Sequence, residues 1–241
     1  MHDSRYITSF LAQEEADRVL ANLNNEVVFL DRDSLKFRIY GKTTQLPRDK
    51  AFYGDVDGDG KYPLYRYGGD YEPPVHPWTR TLREVRDLIA DKTGYLCNHV
   101  VVNRYIDGAD HIGFHHDKTR DFAPDSPVCT ISLGGTRKLV FQSKKKAKSK
   151  KSGKSVEPEK AENCVKSKNW GKSKKSKKAK EEDCLYEVQH GSLFVMGPRT
   201  NMAYKHKIMK TSRPCEMRVS LTFRNIKTIA DGSGNIVETV N

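Results

Sequence analysis

Arg218-Val219-Ser220-Leu221-Thr222-Phe223-Arg224 is the stretch that decides the fold. Its apolar and polar residues alternate strictly, which is the period of a β-strand and not of a helix. Val219, Leu221 and Phe223 share one face, and Arg218, Ser220, Thr222 and Arg224 share the other. An apolar layer backed by two arginines is odd for a strand that merely covers a core. Arginines facing solvent are the plainer reading. Arginines turned into a barrel are the other, because a planar guanidinium can grip a carboxylate through two parallel hydrogen bonds. Six residues of strand span roughly 20 Å, so the two arginines would serve opposite ends of such a site.

The neighbouring runs are strands as well. Val100 to Tyr105, Val128 to Leu133, Lys138 to Phe141, Leu185 to Val188 and Ser192 to Met196 are short and rich in β-branched and aromatic residues. Gly134-Gly135 supplies a turn between two of them. Such a succession indicates a sandwich or a jelly roll. Farther upstream, Leu11, Ala16, Val19, Leu20 and Leu23 recur at helical spacing, with Thr8 or Ser9 as cap. Trp78, Leu82, Val85, Leu88 and Ile89 do the same before a Gly94 stop. Val27 to Leu30 and Phe37 to Lys42 read as strands, and Tyr53 to Tyr71 as loops and short hairpins. The fold class is therefore α+β. Residues 1–95 form N-terminal helices and hairpins, 96–227 the β core, and 228–241 a peripheral tail.

The chain has 241 residues and a formal net charge of +12, but that charge is local. Lys144 to Lys180 holds 16 lysines and 3 glutamates, a net of +13, which leaves 27 basic and 28 acidic residues elsewhere. Lys, Ser, Gly and Glu cannot bury a core, so 143–184 reads as a disordered insertion between two strands. Its clusters suit nuclear import, phosphate contact, or both. Five cysteines with no Cys-x-x-Cys pair argue against a disulfide framework and a structural zinc site, and suit a reducing compartment. No run approaches 18 apolar residues, so no transmembrane helix and no membrane partner are expected. The N-terminus carries no secretory pattern, and a monomer is expected.

Gly113-Phe114-His115-His116-Asp117 contains a His-x-Asp. In extended chain, His115 and Asp117 point to one side and His116 to the other. A third ligand would complete the two-histidine, one-carboxylate face of non-haem Fe(II) oxygenases, with open positions for substrate and oxygen. His190 and His206 are the candidates. His206 is preferred because a short connection joins it to the last strand, whereas His190 sits in a His-Gly turn. On spacing alone, two surface histidines beside a hydrogen-bonding aspartate are the plainer reading.

Taken together, Asn103-Arg104-Tyr105, His115-x-Asp117, His206 and Arg218 with Arg224 six residues later resemble the AlkB family of Fe(II)- and 2-oxoglutarate-dependent dioxygenases. The ending Arg-x-x-Leu-Thr-Phe-Arg is the most specific part. The resemblance spans about Phe37 to Ile226, apart from the lysine segment, and is nearest to the animal-type DNA-repair homologues. It implies a double-stranded β-helix core under a nucleotide-recognition lid. His115, Asp117 and His206 would bind Fe(II); Arg218 would hold the far carboxylate of 2-oxoglutarate, with Asn103 and Tyr105 on the same cosubstrate. Arg224 would lie by the metal-bound end, near Asp117. The implied activity is oxidative demethylation of N-alkylated bases (1-methyladenine, 3-methylcytosine type) in DNA, using O2 and releasing succinate, CO2 and formaldehyde. An RNA demethylase and a non-catalytic nucleic-acid-binding protein are the alternatives.

A base inside a duplex cannot reach such an iron, so it must be flipped or already unpaired. The resemblance makes Tyr40 the finger that fills the gap, with Arg48 at the gap or backbone. Tyr67 would stack on the flipped base opposite His115, and Tyr65 would make a polar contact. One departure stands out. Relatives carry an acid two positions after the metal aspartate, at the exocyclic amine; here Thr119 occupies that place, and Asp121 is the substitute if the loop differs. A nuclear, and also cytoplasmic, location is expected.

Overall fold

A computed structural model describes residues 3–32, 36–39, 42–66, 75–144, 165–166 and 184–239, with backbone alone at 36–39, 42–44 and 165–166. Among them, seven strands form the larger sheet, in the order β1 (Arg5–Ile7), β13 (Ser192–Met196), β9 (Val128–Gly134), β15 (Arg218–Arg224), β7 (His99–Tyr105), β4 (Asp49–Gly54) and β6 (His76–Pro77). Five form the smaller: β11 (Val165–Lys166), β12 (Cys184–Val188), β10 (Arg137–Ser143), β14 (Tyr204–Ile208) and β8 (Ile112–His115). From β7 to β15 the chain crosses repeatedly between the sheets. β7, β9, β13 and β15 lie in the larger and β8, β10, β12 and β14 in the smaller, all paired antiparallel. This is the winding of a jelly roll.

The alternation in β15 does the work expected of it. Val219, Leu221 and Phe223 pack into a cluster with Ala16, Val19 and Leu23 of α1 (Gln13–Glu26) and Leu82, Val85 and Ile89 of α2 (Arg80–Thr93). Arg218, Ser220, Thr222 and Arg224 instead line a cavity between the sheets. One face of the larger sheet is thus apolar under the helices, and the other combines these polar side chains with residues that join a second cluster around Phe141, Tyr186 and Phe194. The cavity opens within that second layer.

Several local expectations shift. Helix α1 begins at Gln13 without a side-chain cap, because the amides of Phe10 and Leu11 both donate to the Gly191 carbonyl and pin the preceding turn. Helix α2 has Thr79 as N-cap, accepting from Leu82 N–H at 3.2 Å, and ends at Gly94 with φ 76°, a conformation that glycine adopts without penalty. Val27 to Leu30 is not a strand. Val27 closes α1, while the amides of Val28 and Leu30 donate to the Tyr53 hydroxyl and the Lys50 carbonyl. Strand β4 was hidden by its charged Asp49 and Lys50, and a short helix, α3 (Pro198–Ala203), leads into β14. After Ile226 the chain is not loose. β16 (Thr228–Ala230) pairs with β17 (Ile236–Thr239) and β5 (Tyr62–Pro63), with Thr228 and Ala230 buried. Phe37 to Lys42 is not one continuous strand: β2 (Lys36–Ile39) and β3 (Lys42–Gln45) pair as a hairpin, with Ile39 opposite Lys42. Tyr40 and Tyr67 lie outside the described residues, as does most of 143–184. No described helix is long and apolar enough to cross a membrane.

Candidate active site

Strands β8 and β14 set His115 directly opposite His206. Their rings stand 4.2 Å apart between centroids. Asp117 follows β8 by one turn of extended chain and is fixed from both sides by Asn201 of α3. Its N–H donates to Asn201 Oδ1 and its carbonyl accepts from Nδ2, each at 2.9 Å. Asp117 Oδ1 lies 3.7 Å from His115 Nε2 and 3.9 Å from His206 Nε2. All three donor atoms fall within 4.8 Å of one another. Ligands about 2.1 Å from one ion stand roughly 3–3.5 Å apart, so binding one ion would draw the donors together by amounts from a few tenths of an ångström to about 1 Å or more. His116 is exposed and borders the same cavity, but it is not part of the three-donor group.

Protonation states suit a cation. His115 Nδ1 lies 3.0 Å from the Gly113 carbonyl, which can only accept, so Nδ1 carries the proton and Nε2 keeps its lone pair toward Asp117. Burial pushes His206 down to about 3, with the neighbouring His115 adding to it, and burial also lowers His115. Both imidazoles are neutral at physiological pH. Burial alone would raise the Asp117 carboxyl, but the Arg224 guanidinium and then the two imidazoles outweigh it and hold it well below the usual carboxylate range. Arg224 Nη2 donates to Asp117 Oδ2 at 2.7 Å, which leaves Oδ1 aimed at the histidines.

His190, the other candidate ligand, is engaged elsewhere. Its Nδ1 accepts from Gly134 N–H at 2.8 Å, and its Nε2 is 3.1 Å from an Asp17 carboxylate oxygen on α1.

Arg218 sits at the other end of the cavity, fully buried. Its Nη2 donates to Ser132 Oγ at 2.9 Å and its guanidinium lies 5.1 Å from the Tyr105 ring centroid. Its Nε and Nη1 reach no acceptor among the described residues. Two open donors on a buried guanidinium call for an anion, and a carboxylate has the matching fork. Asn103 and Tyr105 line the same cavity from β7, where Tyr105 is the register partner of Arg218. The cavity holds about 730 Å³, ample for a dicarboxylate and a flat ring together.

The substrate-side residues divide. Arg48 is buried and turned into the cavity wall. It donates from Nε to Asn103 Oδ1 at 3.0 Å and from Nη1 to the His111 carbonyl at 3.3 Å, and so does not stand on an exposed nucleic-acid face. Tyr65 is buried against His99 and Phe122, with the Arg224 guanidinium 4.7 Å from its ring centroid, and it lines the cavity. Thr119 is exposed and is not among the cavity-lining residues. Asp121 cannot replace the missing acid. It is buried, binds the Arg66 guanidinium and backbone N–H, and accepts from Thr228 Oγ1 at 3.0 Å. It anchors the chain that leads toward Tyr67.

Sequence reasoning missed Lys50, Asn201 and this clamp. Lys50 was findable, since it is two residues from Arg48 and shares its side of an extended strand. It lines the cavity, and burial, then Arg48 and Arg224, push its ammonium well below the usual lysine range. Asn201 and Asp121 leave no signal in a single sequence.

The 2OG-Fe(II) oxygenase superfamily matches residues 3–224. DNA oxidative demethylase ALKBH2 of Mus musculus is 32% identical over 219 residues, covering 91% of this chain and 78% of that protein. ALKBH2 of Homo sapiens is 31% identical, covering 91% and 72%. Alpha-ketoglutarate-dependent dioxygenase alkB homolog 3 of Homo sapiens is 25% identical over 217 residues, covering 90% and 64%. The solved structure of OsALKBH1 shares the fold, with a TM-score of 0.55 at 14% identity over 93% of this chain and 99% of that one. With two neutral histidines, an ionised aspartate and a buried arginine around one cavity, the chain belongs to the AlkB family of the 2OG-Fe(II) oxygenase superfamily, an oxidoreductase that takes Fe(II), 2-oxoglutarate and O2.

Proposed function

We propose that the chain is an oxidative demethylase that repairs N-alkylated bases of the 1-methyladenine and 3-methylcytosine type in DNA. The observation that carries this reading is one cavity with a three-donor metal face at one end and a buried arginine with open donors at the other. The DNA demethylase names of the ALKBH2 relatives support the substrate.

In this reading His115, Asp117 and His206 hold Fe(II), and Arg218 takes the far carboxylate of 2-oxoglutarate, assisted by Asn103 and Tyr105. Arg224 acts through Asp117, keeping it ionised and one-sided. Bound iron, with O2 and 2-oxoglutarate, supplies the oxidation that releases the methyl carbon as formaldehyde, with succinate and CO2 as co-products. The base nitrogen keeps the electron pair of the broken N–C bond and is left neutral, and a proton is released with the formaldehyde. Leu139, Phe141, Val188, Phe194 and Met196 line the cavity and keep it apolar, which limits water near the reacting methyl.

Tyr67 and Tyr65 hold the flipped base, Tyr40 fills the gap it leaves, and Arg48 steadies the cavity wall. Thr119 lies at the rim, where it does not read the base. The enzyme acts as a monomer in the nucleus, with the lysine segment as address or tether. Mass spectrometry of 1-methyladenine and 3-methylcytosine oligonucleotides, as duplex DNA, single-stranded DNA and RNA, tests the reading. Methyl loss from DNA that needs iron and 2-oxoglutarate, and that Tyr40→Ala weakens selectively on duplex, is the expected result. Loss from RNA alone would move the assignment to an RNA demethylase.

A further inference from the structure

We propose that Asn201 is a positioning residue for the iron: its side-chain amide fixes the backbone of Asp117 and thereby sets the affinity of the three-donor site for its metal. The proposal rests on the assignment of His115, Asp117 and His206 as the ligands.

The three donors are not held in the same way. His115 and His206 lie in strands and are register partners, and His206 also stands opposite Phe141 of β10. The ladder therefore fixes both imidazoles. Asp117 lies past the end of β8, where no strand pairs with it among the described residues. Its N–H and carbonyl instead meet one side chain, donating to Asn201 Oδ1 and accepting from Nδ2, each at 2.9 Å. A residue in an antiparallel ladder exchanges the same two bonds with its partner. The Asn201 carboxamide thus stands in for a neighbouring strand. Arg224 holds Oδ2 of the same aspartate at 2.7 Å. Backbone and carboxylate are fixed independently, which leaves Oδ1 a narrow range of positions.

Asn201 is itself anchored. It is 3% exposed and sits in α3, a helix of 6 residues that is too short to hold its shape unaided. At the start of α3, the Asp3 carboxylate accepts from the amides of Arg199 and Thr200 and from Thr200 Oγ1, at 2.8, 2.9 and 2.7 Å. At its end, Lys144 Nζ donates to the carbonyls of Asn201 and Met202, and the Lys144 amide donates to that of Ala203. A side chain carried on a helix tied at both ends has little freedom to follow Asp117, so Asp117 follows it. Groups that orient a metal ligand from behind typically contribute about 10- to 100-fold in metal affinity.

The test titrates the metal-free protein with cobalt(II), whose visible absorption reports the ligand-bound ion. Asn201→Leu is close in size, removes both bonds without opening a cavity, and should weaken cobalt(II) roughly 10- to 100-fold. Asn201→Gln keeps the amide on a longer arm, should recover part of that loss, and serves where Asn201→Leu folds poorly. The affinity for 2-oxoglutarate at saturating manganese(II), read by thermal shift, should stay at the wild-type value, because Arg218 at the far end of the cavity is untouched. Unchanged cobalt(II) affinity in the Asn201 variants overturns the proposal and leaves Asn201 a helix-stabilising residue. So does an equal loss of affinity for cobalt(II) and 2-oxoglutarate, which marks a general loosening of the cavity. Asp117→Ala is the control. If that variant binds cobalt(II) as tightly as the wild type, the ligand assignment itself fails, which is a separate result.

Discussion

Replacing Arg218 by lysine keeps the charge and removes the fork. In the structure Nη2 is held by Ser132, while Nε and Nη1 remain for a carboxylate. A lysine ammonium can make one of those two bonds, and a hydrogen bond to a charged group contributes about 1.5–3 kcal/mol. The middle of that range weakens 2-oxoglutarate about 50-fold. Ligand linkage makes the loss visible without turnover. At 100 times the dissociation constant, the wild type gains about 2.7 kcal/mol, or roughly 5–11 °C in Tm for a chain of this size. At the same concentration Arg218→Lys gains only about 0.6 kcal/mol, roughly 1–3 °C. Differential scanning fluorimetry with manganese(II) in place of iron reads both. An undiminished shift in Arg218→Lys would refute the assignment of Arg218 to the cosubstrate carboxylate.

Other outcomes follow from the same geometry. Burial drives His99 and His206 to about 3 in the fold, below the ordinary 6.5 of the unfolded chain. The unfolded state therefore takes up protons first, and stability falls as pH drops below 6.5, by up to about 1.4 kcal/mol per unit for each histidine. Urea melts of the metal-free protein at pH 7 and 5.5 check this, and His99→Phe should flatten the dependence. Asp121→Asn breaks a buried ion pair with Arg66 and should cost about 3–5 kcal/mol, lowering the urea midpoint and raising the KM for oligonucleotide. Deletion of Lys145 to Lys180 should leave turnover on a short oligonucleotide nearly intact while flattening the salt dependence of duplex binding, and an unchanged slope would exclude phosphate contact. Lys144 is kept because its Nζ donates to the Asn201 and Met202 carbonyls at the end of α3, next to the residue that fixes Asp117.

What could be read from sequence was whatever a short period encodes. The two faces of β15 and the shared side of His115 and Asp117 both follow from i, i+2 spacing, and the structure keeps them. The pairing of His206 with His115 is long-range, so spacing left His190 open until its bonds to Gly134 and Asp17 removed it. β4 was unreadable because Asp49 and Lys50 are charged, and charge normally marks exposure. Here Arg32 and Arg104 neutralise Asp49 on one face, while Lys50 looks into the cavity on the other. Asp121 failed as a substitute reader for a related reason, since its partners Arg66 and Thr228 lie 55 and 107 residues away.

Counting products against methyl groups lost tests the central claim most directly. A methylated DNA oligonucleotide, incubated with iron, 2-oxoglutarate and oxygen, should lose 14 mass units per methyl (a CH₂ difference). Each loss should be matched by one formaldehyde and at least one succinate. Asp117→Ala and His206→Ala should remove the mass loss entirely, because each takes away one of the three donors that converge within 4.8 Å. Methyl loss that survives in either variant, or that appears without formaldehyde, would contradict an iron-centred demethylation at this site.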